Sequence, residues 1–329
     1  MKSDLRQDIV SGDWVMIAPD RAKRDKKGPL GLIKESKRKR PPQKGCVFCD
    51  PKINPGKPIL LYPNREEYSI RVIENKFPVL THEKNHARFL KKGLYRVVDG
   101  IGHHELVITK NHDNNFAHLE KNVANDVFQV FRSRYSTFSK DSCCAYVSIF
   151  HNWGPKAGAS VYHPHYQIIS MPVVPPDIRH SLDGAMRFFN KHKKCVHCEI
   201  IKYEKKEKKR IVYENENAIV LAPFVAREPF ELRVFPKKHF PNFESTPEKD
   251  LEGVVEALQK ALSKIETRLH DPDYNFFIHT APIKDEIKYP FYHWHIEIQP
   301  KISISAGFEL ATGVEITVVD PNDAAKILK

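Results

Sequence analysis

The sequence has no run approaching the roughly 20 uninterrupted apolar residues of a membrane span. Its opening, Met1-Lys2-Ser3-Asp4-Leu5-Arg6, lacks the apolar stretch of a secretory leader. A cytoplasmic protein with no membrane partner is therefore expected. Cysteine is scarce, with six in 329 residues. They fall as two Cys-x-x-Cys pairs plus adjacent Cys143 and Cys144. In a reducing compartment such pairs serve metals or redox chemistry more often than structural disulfides. Cys143 and Cys144 stand at the head of an apolar run and read as inert thiols of a buried strand.

Length allows two domains, each with its own core, and an apolar fraction of 41% is low yet globular. A formal charge of +12 suits an anionic partner, either nucleic acid or a phosphorylated metabolite. Much of the excess lies in residues 34–40 and 191–210. Such runs usually form solvated loops, so no specific nucleic-acid surface is expected from them.

The chain repeats itself. Cys46-Val47-Phe48-Cys49 has a counterpart in Cys195-Val196-His197-Cys198. The apolar stretch 68–75 is answered by 210–215, and the strand-like 105–112 by 231–239, each of the latter ending in a histidine. A helix follows in each copy. Leu119, Val123, Val127, Phe131, Tyr135 and Phe138 mark the first; Leu251, Val254, Val255, Leu258, Leu262, Ile265 and Leu269 mark the second. Thr246 is expected to cap the second helix, with Pro247 at its first position. Each copy closes on His-x-His, at His163-Pro164-His165 and His293-Trp294-His295. The expected fold is α+β: two halves, residues 1–180 and 181–329, each an antiparallel sheet with one packed helix.

Zinc takes four ligands in a tetrahedron, usually cysteine and histidine. Copy one offers Cys46, Cys49, His112 and His163; copy two offers Cys195, Cys198, His239 and His293. Two zinc sites per chain are expected. With all four positions filled by protein, each would hold the fold rather than do chemistry. A thioredoxin-like redox pair is the alternative, but neither copy shows the βαβ context it needs.

On a strand, residues two apart share a face. His163, His165 and Gln167 therefore point one way. If His163 serves a metal, His165 is left as a nucleophile toward phosphorus. Gln167 can donate to a phosphoryl oxygen as charge builds there. Just upstream, Asn152-Trp153-Gly154-Pro155-Lys156-Ala157-Gly158-Ala159-Ser160 offers small residues, a hydroxyl and a lysine. Its successive amides suit a phosphate. A pair of surface or metal-binding histidines is the plainer reading of His-x-His, and it leaves the turn and the glutamine unexplained.

These residues resemble the galactose-1-phosphate uridylyltransferase family of the histidine-triad superfamily, through nearly the whole chain. Arg6, Trp14 and Arg21-Ala22-Lys23-Arg24 resemble the family's opening, and Asn75-Lys76-Phe77-Pro78 its nucleotide-contact turn. The stretch from Asn152 through Gly158-Ala159-Ser160 to His163-Pro164-His165-Tyr166-Gln167 resembles its signature. The resemblance implies zinc on Cys46, Cys49, His112 and His163, and a nucleotidylated His165 assisted by Gln167 and Ser160. It implies a nucleotide pocket lined by Arg21, Arg24, Asn75, Phe77, Asn152, Gly158 and Ser160. It also implies a homodimer, and Gly307-Phe308-Glu309 resembles a strand that contacts sugar, with Glu309 facing hexose hydroxyls.

Two departures stand out. The second cluster, Cys195, Cys198, His239 and His293, resembles the two-zinc branch that includes plant ADP-glucose phosphorylase. Tyr166 stands where a small residue is common. In copy two Glu297 replaces the glutamine and no Gly-Ala-Ser turn precedes His293, so copy two is expected to be non-catalytic.

The implied activity is transfer of UMP between UDP-glucose and a hexose 1-phosphate by a ping-pong route, so the partners are a nucleotide sugar and a sugar 1-phosphate. ADP-sugar phosphorylase, with inorganic phosphate as acceptor, is the alternative within the same chemistry. From another class, a zinc-stabilised nucleic-acid-binding protein would explain the charge and both cysteine pairs but not the Gly-Ala-Ser turn or Gln167.

Overall fold

Apolar residues at alternate positions set the strands, as in Tyr274–His279, where every second side chain is buried. A computed structural model describes residues 3–25, 38–50, 52–53, 57–82, 87–283 and 289–329. Its strands are β1 (Asp4–Gln7), β2 (Trp14–Ile17), β3 (Leu60–Tyr62), β4 (Ile70–Glu74), β5 (Phe89–Lys92), β6 (Tyr95–Val98), β7 (His103–Thr109), β8 (Tyr146–Trp153) and β9 (His165–Met171). The second half adds β10 (Ile211–Glu214), β11 (Ala218–Leu221), β12 (Leu232–Pro236), β13 (Tyr274–His279), β14 (His295–Pro300) and β15 (Glu315–Thr317). The helices are α1 (Lys121–Ser139), α2 (Pro176–His192), α3 (Val196–Glu207), α4 (Glu248–Arg268), α5 (Gly307–Thr312) and α6 (Pro321–Leu328).

One ten-stranded sheet carries the duplication, in the order β10-β11-β12-β14-β13-β8-β9-β7-β4-β3. Read inward from either edge, the two halves have the same order, and they meet where β8 pairs with β13, Phe150 opposite Phe277. The pairings are antiparallel, so the expected α+β architecture is the one that folds. β1, β2 and β15 form a separate three-stranded sheet, in which residues from the two ends of the chain meet.

α1 and α4 cover one face. Their apolar stripes join the inward residues of both halves in one core, with Val127, Phe131 and Tyr135 from α1 and Val254, Leu258 and Leu262 from α4. Tyr166 and Ile168 of β9 point into this core. His165 and Gln167 alternate with them and face the other way. This accounts for Tyr166: its ring is fully buried, 5.6 Å from Phe131 and 5.9 Å from Phe116. Burial of an apolar ring of that size contributes about 1.5–3 kcal/mol, offset here by the Tyr166 hydroxyl, which is buried without a hydrogen-bond partner among the described residues. The two halves are also tied by the buried Glu266 of α4, which accepts from Asn115 at 2.6 Å and pairs with His118 at 2.7 Å.

Four expectations need correction. By sheet order the counterpart of β4 is β11, and β10 answers β3, so the stretch 68–75 does not correspond to 210–215. Thr246 does not cap α4; Pro247 holds the cap position, and the Thr246 hydroxyl accepts from Trp294 Nε1 at 2.8 Å. The basic run 191–210 is largely helical, at the end of α2 and in α3. Cys143 and Cys144 lie in the turn before β8 rather than in the strand, and burial pushes the Cys144 thiol up to about 11. Among the described residues no helix is long and apolar enough to cross a membrane.

Candidate active site

The Cys46–Cys49 loop meets the end of β7 and the start of β9. There the donor atoms of Cys46, Cys49, His112 and His163 all lie within 4.8 Å of one another. Cys49 Sγ is 3.3 Å from His112 Nδ1 and 3.2 Å from His163 Nδ1, and Cys46 Sγ is 3.7 Å from His163 Nδ1. Each imidazole donates its Nε2–H to a backbone carbonyl, His112 to Pro41 at 2.9 Å and His163 to Thr109 at 2.7 Å. Both Nδ1 atoms are then bare, yet they face each other at 3.2 Å. Two lone pairs and two sulfurs so arranged fit a cation at their centre. A tetrahedral site with N bonds of about 2.0–2.1 Å and S bonds of about 2.3 Å sets N and S roughly 3.5 Å apart, as found. Carbonyl contacts of this kind fix the tautomer of a metal-bound histidine.

The second set repeats the first. Cys195, Cys198, His239 and His293 converge equally closely. Cys198 Sγ lies 3.4 Å from His239 Nδ1 and 3.5 Å from His293 Nδ1, and His239 Nε2 donates to Pro290 O at 2.9 Å. Both groups fit a metal ion.

His165 opens β9, and His163 lies in the bend just before the strand rather than on it. The His165 Nδ1–H donates to the carbonyl of His163 at 2.9 Å, which leaves the Nε2 lone pair for chemistry. Burial holds its pKa below the usual imidazole value, so the ring is neutral near pH 7. The ring of Phe48, from between the two cysteines, packs 5.1 Å from it at 61°. Gln167 shares the face of His165. Its Oε1 lies 2.8 Å from Nε2 of His104 on β7.

Gly154 to Ser160 forms a turn. Gly154 and Gly158 both have φ of 86°, a region that favours glycine. Pro155–Ala157 is a single 3-10 turn, and Asp273 Oδ2 accepts the backbone N–H of Lys156 at 2.6 Å. Asn152 Oδ1 accepts from Asn275 Nδ2 at 2.8 Å, and Asn275 also donates to Ala157 O at 2.8 Å. Arg38 stacks on Trp153 at 4.5 Å and pairs with Asp271 and Asp273. The second half thus shapes a turn that belongs to the first.

Asn75 follows β4 and makes an Asx turn, its Oδ1 accepting Phe77 N at 3.0 Å. Phe77 is 80% exposed, and Ser160 and Arg21 are exposed. The side chain of Arg24 lies outside the described residues. Glu309 differs from expectation: residues 307–312 are helical, not a strand, and Glu309 Oε2 accepts the N–H of Ala306 at 3.0 Å. Glu309, Leu310 and Ala311 favour helix, and Gly313 at φ 70° ends it.

Phe48, His104, Asn275 and Asp273 were not singled out from sequence. Phe48 had a signal, its place within Cys-x-x-Cys. The others are joined to the site by strand register between distant segments, which no local pattern carries.

In copy two, His295 stacks on His279 at 5.1 Å and lies 3.4 Å from Glu297. Arg233 pairs with Glu297 and Glu231 and holds the Glu297 carboxyl well below the usual range. A charged carboxylate thus stands where copy one has the amide of Gln167.

The sequence model described as "Galactose-1-phosphate uridyl transferase, N-terminal domain" matches residues 1–175, and one described as a domain of unknown function, DUF4921, matches residues 101–328. The ADP-glucose phosphorylase of Arabidopsis thaliana is 33% identical over 99% of this chain and 92% of its own length. The galactose-1-phosphate uridylyltransferase of Thermotoga maritima is 28% identical over 80% of this chain and 85% of its own. A crystal structure of an ADP-glucose phosphorylase from Arabidopsis thaliana with bound ADP-glucose superposes with a TM-score of 0.83 and 30% identity, covering 99% of this chain and 98% of that one. The fold, the duplicated halves and these matches agree, and the chain belongs to the galactose-1-phosphate uridylyltransferase family.

Proposed function

We propose that this protein moves a nucleotidyl group from a nucleoside diphosphate sugar to a phosphate-bearing acceptor through a covalent bond to His165. The carrying observation is the tautomer of that ring: Nδ1–H is tied to His163 O, so Nε2 has the free lone pair. In the first step Nε2 bonds to the α-phosphorus and the bond to the sugar 1-phosphate breaks. In the second, an acceptor phosphate oxygen displaces the imidazole. The amide of Gln167 would donate to a non-bridging oxygen as charge grows. Lys156, Gly158 and Ser160 would hold the phosphates, and Arg21, Arg24, Asn75, Phe77 and Asn152 the nucleoside. Residues 1–180 would be the catalytic half. Residues 181–329 would support it and supply Glu309 as the candidate contact for hexose hydroxyls within a homodimer.

Zinc is the metal proposed for both clusters. When bound, it would tie the cysteine loop to the strand ends that carry the paired histidines.

The base and acceptor divide the reading. Adenylyl transfer from an ADP-sugar to inorganic phosphate is supported by likeness across the whole chain to the Arabidopsis ADP-glucose phosphorylase and by the second Cys-x-x-Cys cluster. We place it ahead of UMP transfer between UDP-glucose and a hexose 1-phosphate, which the Thermotoga relative supports over less of the chain.

The test is to incubate the protein with ADP-glucose or UDP-glucose labelled in the nucleotidyl phosphate and ask which leaves label on protein. Label from one donor, absent in His165→Ala and discharged by phosphate or by a sugar 1-phosphate, is expected. Normal turnover by His165→Ala, or sequential kinetics without any trapped label, would end the covalent reading.

A further inference from the structure

The amide of a glutamine offers N–H at one end and C=O at the other, and only one end stabilises a phosphoryl oxygen. Something must choose between them, and a rotation of 180° about the terminal bond would present the wrong one. We propose that His104 makes this choice, acting as the positioning residue for Gln167. The inference rests on the nucleotidyl-transfer reading above for the role of Gln167, but not for the geometry.

His104 is buried on β7. The backbone N–H of Val79 donates to its Nδ1 at 3.2 Å. A neutral imidazole with one nitrogen accepting carries its proton on the other. The Nε2–H therefore points to Gln167 Oε1, 2.8 Å away. With its oxygen held there, the NH2 end of Gln167 is the end left for a phosphoryl group. Asn75 Nδ2 also approaches His104, at 2.9 Å from Nε2 and 3.5 Å from Nδ1. Those two distances place it over the ring face, off the in-plane Nε2–H direction, an N–H···π contact. Asn75 Oδ1 is occupied by Phe77 N, which keeps the amide of Asn75 in that orientation. His104 thus links the turn at residues 75–79 to the glutamine beside His165.

Copy two has a different arrangement. Glu297 needs no choice of end, because its two oxygens are alike, and the guanidinium of Arg233 meets it at 3.1 Å. A steering imidazole is useful only where an amide does the work.

The experiment compares His104→Phe, which keeps the ring and its face for Asn75 but removes donor and acceptor, with His104→Gln, whose amide can still donate to Gln167. Full loss of one such donor costs about 10²–10³ in rate, so misorientation should cost about 10- to 100-fold in single-turnover labelling of His165. The KM for the donor sugar should change by less than about threefold, since the gain lies in the transition state. His104→Gln should recover most of the rate. In a Gln167→Ala background, His104→Phe should cost almost nothing further. Equal losses with and without Gln167, or wild-type rates in His104→Phe, would overturn the inference. Metal content and unfolding temperature of each variant separate positioning from misfolding.

A second readout needs no turnover. Nitrogen-15 spectra of histidine-labelled protein, with the His104 signal assigned by its loss in His104→Gln, should show the Nε2–H tautomer; the Nδ1–H tautomer refutes the assignment. If wild type takes no label from any nucleotide sugar yet shows that tautomer, the functional reading has failed and the positioning geometry has not.

Discussion

His165 Nδ1 donates to the backbone carbonyl of His163 at 2.9 Å. One residue thus has two tasks. The His163 side chain faces the cysteines of the proposed metal cluster, and its carbonyl sets the tautomer of the ring proposed to attack phosphorus. Loss of the cluster should therefore reach the chemistry through His163 alone, from its side chain to its carbonyl.

Replacing His112 by Asn tests that link. The variant should lose about one metal equivalent per chain, because His112 Nδ1 is one of four converging donors. Structural zinc contributes several kcal/mol or more to folding, so the unfolding temperature should drop by many degrees. Labelling of His165 should fall with it, and chelator treatment of wild type should do the same. Elemental analysis and thermal unfolding check this. A variant with full metal content and unchanged unfolding would remove His112 from the cluster.

A pH effect on stability is expected from His151. Its ring is buried, its Nδ1–H donates to His165 O at 2.8 Å, and burial pushes its pKa down to about 3. Unfolded, the same group titrates near its ordinary value of about 6.5. Below that value the unfolded chain takes up a proton that the folded one refuses. Stability should thus fall with pH from about 6.5 toward about 3. His118 has the opposite sign, because Glu266 raises its pKa; its contribution is present at low pH and lost as pH rises through the raised value. Comparing wild type with His151→Phe isolates the first effect. The variant should show a shallower loss of stability across that window in denaturant titrations, and equal slopes would contradict the assignment.

Local pattern carried part of this molecule and spatial register carried the rest. The helix periods of α1 and α4, the two Cys-x-x-Cys pairs and the alternation around His165 are properties of neighbours in sequence, and they could be read there. The steering of Gln167 by His104 depends on β7 lying beside β9, and the support of Asn152 by Asn275 depends on β13 lying beside β8. Neither contact leaves a trace within a short window. The mismatch of 68–75 with 210–215 arose the same way: both stretches are apolar and end in asparagine, and only sheet order shows that β10 answers β3. Residues 307–309 differ for another reason: likeness to a sugar-contacting strand competes with a composition that favours helix, and helix forms.

Asn275 tests whether the second half reaches into the first. It donates to both Asn152 Oδ1 and Ala157 O, so it holds a candidate nucleoside contact and the proposed phosphate turn together. Asn275→Ala would leave both acceptors without that donor, at a cost of about 1–3 kcal/mol. That cost should appear as a KM for the nucleotide sugar raised about tenfold, while labelling at saturation changes by less than about threefold. A fall in the saturated rate at constant KM would show that the contact serves the chemical step instead.

The turn itself is tested at Gly154. With φ at 86° and ψ at 161°, it occupies a region almost confined to glycine. A Cβ there would also collide with the side chains of Asp273 and Arg38. Arg38 is held between Trp153 and two aspartates, and Asp273 is bonded to Lys156 N, so neither can move without releasing the turn. Gly154→Ala should cost about 1–3 kcal/mol in backbone strain alone. Thermal unfolding should register it as a shift of several degrees. The N–H groups of residues 156–159 already donate within the protein, so the turn would act on phosphate through the Lys156 and Ser160 side chains, and their displacement should raise KM for the nucleotide sugar while both metal equivalents stay in place. An unfolding temperature and KM equal to those of wild type would mean that the turn tolerates a side chain at residue 154, and that its shape is not what holds the phosphates.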